Sequence, residues 1–594
     1  MDTQTRAHPG ITITNEGVVF CVWAPFADNV AVTGDFNEWN EAGIPLVRDD
    51  SDNWSATIQA AIGQEYKYVI THQGQTTLKN DPRALQISTS GDNSIIVSPQ
   101  FDWEDDNFTP LALSQQVIYE LHIGTFNRSD PATVGTFAAA IEKLDYLASL
   151  GITTIELMPC SESSIDRWWG YTPNFIYAIE SAYGGRHAFM DFVKAAHQRN
   201  MGVILDVVYN HISPIPTPDI WQFDGWNENS KGGIYFYNDN RAETPWGATR
   251  PDYGRPEVRQ YIADNVRMWV QDCHVDGLRV DSTHYIRNVQ GRNNDPSSDI
   301  AEGWQVIQQI TDTARSIKPS AVLIAEDTAS NDYITKPTHE GGAGFDAQWE
   351  TPFPYVLRDM LLNPIDDASR NLDALRSAIQ KHYNNNPFQQ VIYSESHDAD
   401  ANGRSRLNEE IAPGNSDNVF ALRRSTLAAA LVLTLPGIPM LFQGQEFMED
   451  GSFTHWQQLD WAKAETFHGT LQLYKDLIAL RRNRFGFSAG LLGATLDILH
   501  LDNSTKVLAL HRQDKGGPGD DVVVAINFTN EPRIGYQIPF PAQGTWKARF
   551  NSDWKGYSED FTDTPTYDIT VDNTVGVVNL APYSTVIFSQ DPVR

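Results

Sequence analysis

The chain reads as an α/β protein: a (β/α)8 TIM barrel carrying an N-terminal β-sandwich and a C-terminal all-β domain. Three observations predict it. Short apolar runs alternate with amphipathic helical stretches over residues 111–485, the pattern of repeated βα units around a parallel sheet. The flanking segments, 1–110 and 486–594, hold short strand-like runs parted by turn-rich residues. Several central runs also end on an acidic residue: Asp281 closes Asp276-Gly-Leu-Arg-Val-Asp281, Glu326 closes Val322-Leu-Ile-Ala-Glu326, and Asp398 follows Val391-Ile-Tyr-Ser-Glu-Ser-His397. Buried parallel strands are continuously apolar, and barrel enzymes carry their catalytic groups at the C-terminal strand ends.

In the first segment Val18–Trp23, Val30–Thr33, Trp54–Ile58 and Tyr66–Ile70 are strands, spaced as in a small β-sandwich. Gly34-Asp-Phe-Asn-Glu-Trp39 lies in a loop between two of them, either a turn capping the sandwich or a sugar contact. In the central segment strand Val117–Ile123 precedes a helix over Phe137–Leu150, with apolar residues at 137, 141, 144, 147 and 150. The alternation continues with Thr153–Met158 and His187–Arg199, Gly202–Tyr209 and Pro256–Cys273, Gly277–Asp281 and Gly303–Ser316, then Ala321–Glu326. The polar stretch Ile212–Asp252 is a loop insertion. A doubly wound sheet is the rival fold, but no Gly-rich phosphate loop follows the first strand. In the last segment Val507–His511, Val522–Ile526, Gly544–Ala548 and Val575–Leu580 are strands of an all-β domain.

The 594 residues, 41% hydrophobic and 11% aromatic, suffice for several large cores. With 44 basic against 76 acidic residues the formal charge is −32, which repels nucleic acid and anionic membranes alike. A neutral polyhydroxylated ligand is indifferent to that charge, and 16 Trp with 22 Tyr supply flat faces for sugar rings, although most serve as core. Cys21, Cys160 and Cys273 are too few and scattered for a disulfide framework or a zinc site, so buried thiols are expected. Met1–Gly10 has no signal-peptide pattern, and no run approaches the ~20 apolar residues of a membrane span. The expectation is a soluble, cytoplasmic protein without membrane partners.

Glycoside cleavage needs one carboxylate to attack the anomeric carbon or activate water, and one carboxylic acid to protonate the leaving oxygen. Arg279 shares a strand face with Asp281, two residues on, and its guanidinium should keep that carboxylate ionised, as a nucleophile requires. Glu326, at a buried strand end beside Asp327, should have a raised pKa and stay protonated. Asp398 comes with His397, and Asn210 with His211 follows Asp206; such groups can grip sugar hydroxyls and distort the ring. Taken singly, each has a structural alternative: a salt bridge for Asp281 with Arg279, a solvated strand end for Glu326, rim hydrogen bonds for the histidines. Four such ends in one barrel favour function. A metal-dependent hydrolase is disfavoured because no His-x-His or His-Glu-x-x-His falls at a strand end.

The segments Asp206-Val-Val-Tyr-Asn-His211, Gly277-Leu-Arg-Val-Asp281, Ile324-Ala-Glu326 and Ser396-His-Asp398 resemble, in order, the four short conserved regions of the α-amylase family, glycoside hydrolase family 13. The front segment, with Trp23-Ala-Pro25 and Gly34–Trp39, is similar to the family 48 carbohydrate-binding module. The tail resembles the β-sandwich that closes these enzymes. The resemblance implies a retaining reaction on α-1,4-glucosidic bonds of maltooligosaccharide, glycogen or starch-type substrates. It makes Asp281 the nucleophile, Glu326 the general acid/base and Asp398 the transition-state stabiliser, with the Asp281 and Glu326 carboxyls ~5 to 5.5 Å apart. Arg279, His397 and His211 would line the sugar subsite, Asp206 would support them, and Tyr171 of Trp169-Gly-Tyr171 would stack under the ring.

Tyr119–Phe126, Ala138–Asp145, Pro245-Trp-Gly247 and Pro439–Glu446 look most like maltooligosyltrehalose trehalohydrolases. Glycogen branching enzymes share the domain plan, and Gln458-Leu-Asp-Trp461 is nearer to them. Hydrolysis is the first expectation, transfer to form α-1,6 branches the alternative, and a non-catalytic glucan-binding protein the third reading, against which the intact Asp281, Glu326 and Asp398 argue. No cofactor is expected; the resemblance leaves a structural calcium open at Asn210.

Overall fold

The computed structural model describes residues 8–88, 93–104, 106–128, 133–163, 168–214, 218–362 and 366–593. At its centre is a closed parallel barrel of eight strands: β1 (Ile118–Leu121), β2 (Thr154–Leu157), β3 (Gly202–Val207), β4 (Gly277–Val280), β5 (Val322–Ala325), β6 (Ala347–Trp349), β7 (Gln390–Ile392) and β8 (Ile438–Phe442). Every barrel strand residue is buried. Ile118, Ile204, Ile324, Trp349, Val391 and Met440 form one apolar cluster inside the barrel, so the interior is packed core and leaves only the C-terminal rim for chemistry. At Gly277 a Cβ would stand 1.9 Å from the Val322 carbonyl oxygen of β5; glycine is what allows β4 and β5, the two strands that end on Asp281 and Glu326, to lie so close.

Two barrel strands escape the sequence reading for different reasons. Ala347–Trp349 is three residues long and contains Gln348, too short and too polar for an apolar run. Ile438–Phe442 directly follows the wholly apolar turn of helix Val419–Thr434, so periodicity does not separate them. The helix expected over Phe137–Leu150 is divided into Phe137–Ile141 and Leu144–Leu150, and that over Pro256–Cys273 changes after Arg267 to a wider π turn, Met268–Asp272.

The N-terminal sandwich packs Gly10–Thr14, Gly17–Trp23, Asn53–Ile58 and Val47–Arg48 against a second sheet of Ile44–Pro45, Asn29–Gly34, Glu65–His72, Gln75–Lys79 and Ser94–Ile95. Phe20, Val30, Tyr66 and Tyr68 are its fully buried centre. Gly34–Trp39 is a tight turn: Asn37 Oδ1 accepts from the Gly34 N–H and the Thr33 hydroxyl, and Trp39 Nε1 donates to Asp35 Oδ1. The sandwich holds the long loop after β3, since Phe26 stacks on Trp226 at 4.6 Å and its N–H donates to Asp224.

After the barrel, Thr495–Asp502, Val507–Gln513, Val522–Asn527, Ser584–Ser589, Gly544–Asn551 and Ile569–Val571 form a six-stranded sheet, with Arg533–Pro539 and Val575–Leu580 as a separate pair. Cys21, Cys160 and Cys273 are buried, and no disulfide forms among the described residues. No helix among the described residues is long and apolar enough to cross a membrane.

Candidate active site

A cavity of about 530 Å³ opens at the C-terminal rim of the barrel. Asp281, Glu326, Asp398, His397, His211, Tyr171 and Trp169 all line it. Arg279 and Asp206 do not. Both point into the barrel from β4 and β3, and the guanidinium, wholly buried, lies beneath the cavity floor between three carboxylates. Its Nη1 reaches Asp206 Oδ2 at 2.6 Å and Asp281 Oδ1 at 3.0 Å, and its Nη2 forms an ion pair with Glu326 Oε2 at 2.8 Å. The plane rests over Trp349, 4.5 Å from the ring centroid. Arg279, expected to line the sugar subsite, is ion-paired beneath the cavity floor to Asp281 and Glu326, which line the cavity.

Each acid is fixed by local backbone. Ser282, directly after Asp281, adopts a left-handed conformation (φ 44°) that turns its N–H to Glu326 Oε2 at 3.0 Å. Asn210 donates its amide to Asp281 Oδ2 at 2.6 Å and to the Asp281 carbonyl at 3.0 Å. Asp281 and Glu326 thus sit side by side on Nη1 and Nη2 of one guanidinium. Two buried carboxyls this close disfavour each other's ionisation and titrate as a pair. Burial and the Glu326 charge raise the pKa of Asp281, while Glu326, despite burial, is held well below its ordinary value by Arg279, by His284 and by the Ser282 N–H.

The sequence expectation gives Arg279 to Asp281 alone and has Asp327 push Glu326 upward; the surroundings differ from that in two respects. Arg279 serves Glu326 as well as its strand neighbour, and Asp206 adds negative charge beside Asp281. Asp327, expected to push Glu326 upward, is itself neutralised by Arg287, which donates Nε and Nη2 to its two oxygens at 2.9 Å. Asp206 is raised to about 6, because burial outweighs Arg279 and Tyr171, whose hydroxyl donates at 2.6 Å.

Across the cavity the surroundings are wetter. Asp398 has a side chain 47% exposed, with His397 Nε2 at 3.6 Å and the Asn402 amide donating at 3.3 Å. His397 stacks on Tyr171 at 5.0 Å. Its Nδ1 meets Glu120 Oε1 at 2.5 Å, and its backbone N–H donates to Glu120 Oε2 at 3.1 Å. Burial alone would lower its pKa, but Asp398 and Glu120 push it to about 9. His211 is the opposite case: burial depresses it to about 4, so it is neutral. Its ring stacks on Trp246 at 4.7 Å, and Nδ1 faces Asn210 Oδ1. Trp169 stacks on Phe453 at 5.3 Å.

Asn210, where the resemblance leaves a calcium open, has its carbonyl oxygen facing His211 Nδ1 and its amide nitrogen donating to Asp281. Among the described residues no group of three or more His, Cys, Asp or Glu is arranged to hold a metal.

The structure adds residues that the sequence reading leaves unassigned. Glu120 is the main one, a charged residue inside the apolar run Val117–Ile123; that position is itself a signal, since a carboxylate is not buried without a partner. Trp246, Trp168 and His455, on loops, and His284 and Tyr285, on the short helix Thr283–Arg287, also line the cavity, at places sequence spacing does not give.

The α-amylase catalytic domain family matches residues 121–218 and 214–472, the carbohydrate-binding module 48 family (isoamylase N-terminal domain) residues 8–84, and the α-amylase C-terminal all-β domain family residues 498–591. The chain belongs to the α-amylase family and is an enzyme of that family. It is 29% identical over 561 residues to a 1,4-α-glucan branching enzyme of Bacillus caldolyticus, covering 90% of this chain and 81% of that protein. It is 30% identical over 474 residues to a malto-oligosyltrehalose trehalohydrolase of Saccharolobus solfataricus, covering 75% of this chain and 76% of that protein. Among solved structures, a type I pullulanase of Bacillus subtilis complexed with maltose superposes with a TM-score of 0.76 at 21% identity, over 99% of this chain and 86% of that one. At that identity the likeness speaks for the fold.

Proposed function

We propose that the enzyme cleaves α-1,4-glucosidic bonds of maltooligosaccharide or α-glucan with retention, through a glycosyl group carried on Asp281. The observation that supports this most is that Asp281 and Glu326 are ion-paired to Nη1 and Nη2 of the same Arg279 guanidinium, at 3.0 and 2.8 Å. An inverting pair stands ~6.5 to 9.5 Å apart to hold a water, and carboxyls gathered on one guanidinium favour the closer, retaining arrangement.

One proton serves both partners. In the free enzyme the two carboxyls share it. A glycosidic oxygen seated beside Glu326 offers an acceptor for an O–H, which draws the proton to Glu326 and leaves Asp281 anionic. Asn210 and Arg279 already point at the oxygens on which that charge forms, so little reorganisation is needed. Glu326 then protonates the leaving oxygen as Asp281 attacks the anomeric carbon; in the second half Glu326 accepts a proton from the incoming hydroxyl and the ester opens. Asp398, with exposed oxygens, accepts hydrogen bonds from sugar hydroxyls as the ring flattens.

If water is the incoming hydroxyl, the enzyme is a hydrolase, our first reading. Transfer to a sugar hydroxyl is the second, and the match to branching enzymes across nine-tenths of the chain favours it. Incubation with amylose, maltohexaose and maltooligosyltrehalose, with products separated before and after debranching, decides. Short linear products mean hydrolysis, free trehalose means a trehalohydrolase, and new α-1,6 linkages mean transfer; intact substrates in all three would refute the proposal. Cys21, Cys160 and Cys273, buried as thiols, accord with a reducing compartment, and we place the enzyme in the cytoplasm.

A further inference from the structure

We propose that Glu120, on β1, is a positioning residue for the reaction: by gripping both the ring and the backbone of His397 it fixes that imidazole as a cation with Nε2–H aimed at Asp398 and the sugar. The inference rests on the proposed glycoside chemistry for its purpose, and on geometry alone for the grip.

Both oxygens of Glu120 are spent on one residue, Oε1 on Nδ1 and Oε2 on the His397 N–H, and both residues are buried, 1% and 2% exposed. A carbonyl would suffice to select the Nδ1–H tautomer. A carboxylate costs more to bury and does more: it makes a second proton on Nε2 favourable, which turns the far nitrogen from an acceptor into a charge-assisted donor. Nε2 is the atom 3.6 Å from Asp398 Oδ1.

The groups facing His397 support a charged ring. On its own loop stands Asp398; from β1 comes Glu120, from β3 Asp206, and from β4 Arg279, the one opposing charge of full strength. His122, after β1, is depressed to about 4 by burial and is neutral. Glu156 of β2, in register with Glu120, is raised far above the ordinary range by burial and by Glu120 itself; one of its oxygens has no partner. Glu120 is the carboxyl that meets the Nδ1 side. The rings of Tyr171, Trp169 and Trp349 enclose the imidazole and exclude water from it.

Glu120→Gln keeps the shape and removes the charge. His397 is then expected to titrate near the ordinary histidine value of ~6.5 in place of about 9. The alkaline limb of kcat/KM should follow it down. At pH 8 the variant should run about thirtyfold slower than wild type, against little difference near pH 5.5. In a His397→Asn background the same change should cost nothing further. A uniform loss at every pH, or losses that multiply in the double variant, would overturn the proposal.

The His397 titration is also read without substrate, from the ring Cε1 resonance of 13C-labelled histidine, assigned by its absence in His397→Asn. A downward shift there in a protein inactive on every glucan would sink the functional reading and keep the grip; an unmoved resonance sinks the grip whatever the activity. Should Glu120→Gln not fold, Glu120→Asp, with the charge withdrawn by one methylene, carries the same titration, and a His397 value unchanged in that variant counts against the proposal.

Discussion

The two sides of the cavity hold the same residue types in opposite surroundings. On the β3–β5 side Asp206, Asp281 and Glu326 are buried and share one guanidinium. On the β7 side Asp398 is nearly half exposed, its closest basic group a histidine 3.6 Å away. Charge on the dry side is decided by the protein, because desolvation couples every group to its neighbours. On the wet side it is decided by water. The dry side can therefore store and pass a proton, and the wet side can reach for hydroxyls.

The largest effects should come from the dry pair. Asp281→Ala or Glu326→Gln is expected to lower turnover on maltohexaose by at least a thousandfold, about 4 kcal/mol of barrier, with a melting temperature near that of wild type. Normal turnover in either variant would remove its assigned role. Arg279→Met tests the same side through stability. It leaves a buried set of carboxylates without their cation, which costs about 3–5 kcal/mol, so the protein should melt far lower or fail to fold. Asp398→Asn, across the cavity, should lose most activity and no stability. Equal melting losses in the two variants would erase the contrast drawn here.

The pH response sharpens it further. Asp206 titrates near 6 in the fold, so acidification through that value removes the anion that holds Arg279 Nη1 and Tyr171, and the rate should fall. Stability should not fall with it. A carboxyl whose pKa is raised by folding binds its proton more tightly in the native state, so its contribution weakens as pH rises from about 4 to 6 and is regained on acidification. The expected outcome is an acid limb in kcat near pH 6 without a matching drop in melting temperature, and loss of that limb in Asp206→Asn. A limb that persists in Asp206→Asn assigns it to another group.

The barrel was legible because its strands are apolar runs, and the three acids were legible because each closes such a run. Position along a strand does not reveal who shares a partner across strands. The i, i+2 spacing pairs Arg279 with Asp281, yet the guanidinium divides itself between Asp206, Asp281 and Glu326 at three strand ends. Asp327 is a like-charge neighbour of Glu326 in sequence, but Arg287, forty positions earlier, neutralises it. Glu120 stood in plain view within a buried strand, but its partner is 277 positions away, a pairing only barrel closure brings about. Trp246 and His455 sit on loops, where no periodicity fixes direction.

Two asparagines give the most closely matched test, and the smaller of them the smallest expected effect. Asn210 and Asn402 each donate an amide hydrogen bond to a carboxylate of the site, Asn210 to Asp281 at 2.6 Å and Asn402 to Asp398 at 3.3 Å. Asn210 is fully buried, so no water can replace the bond that Asn210→Ala removes; about 1.5–3 kcal/mol, tenfold to a hundredfold in rate, should be lost. Around Asn402 solvent is at hand. Asn402→Ala should cost only about 0.5 kcal/mol, roughly twofold in rate, with no change in melting. If the two substitutions proved equally costly, burial would not be what distinguishes the walls, and the division between a proton-holding side and a hydroxyl-gripping side would have to be abandoned.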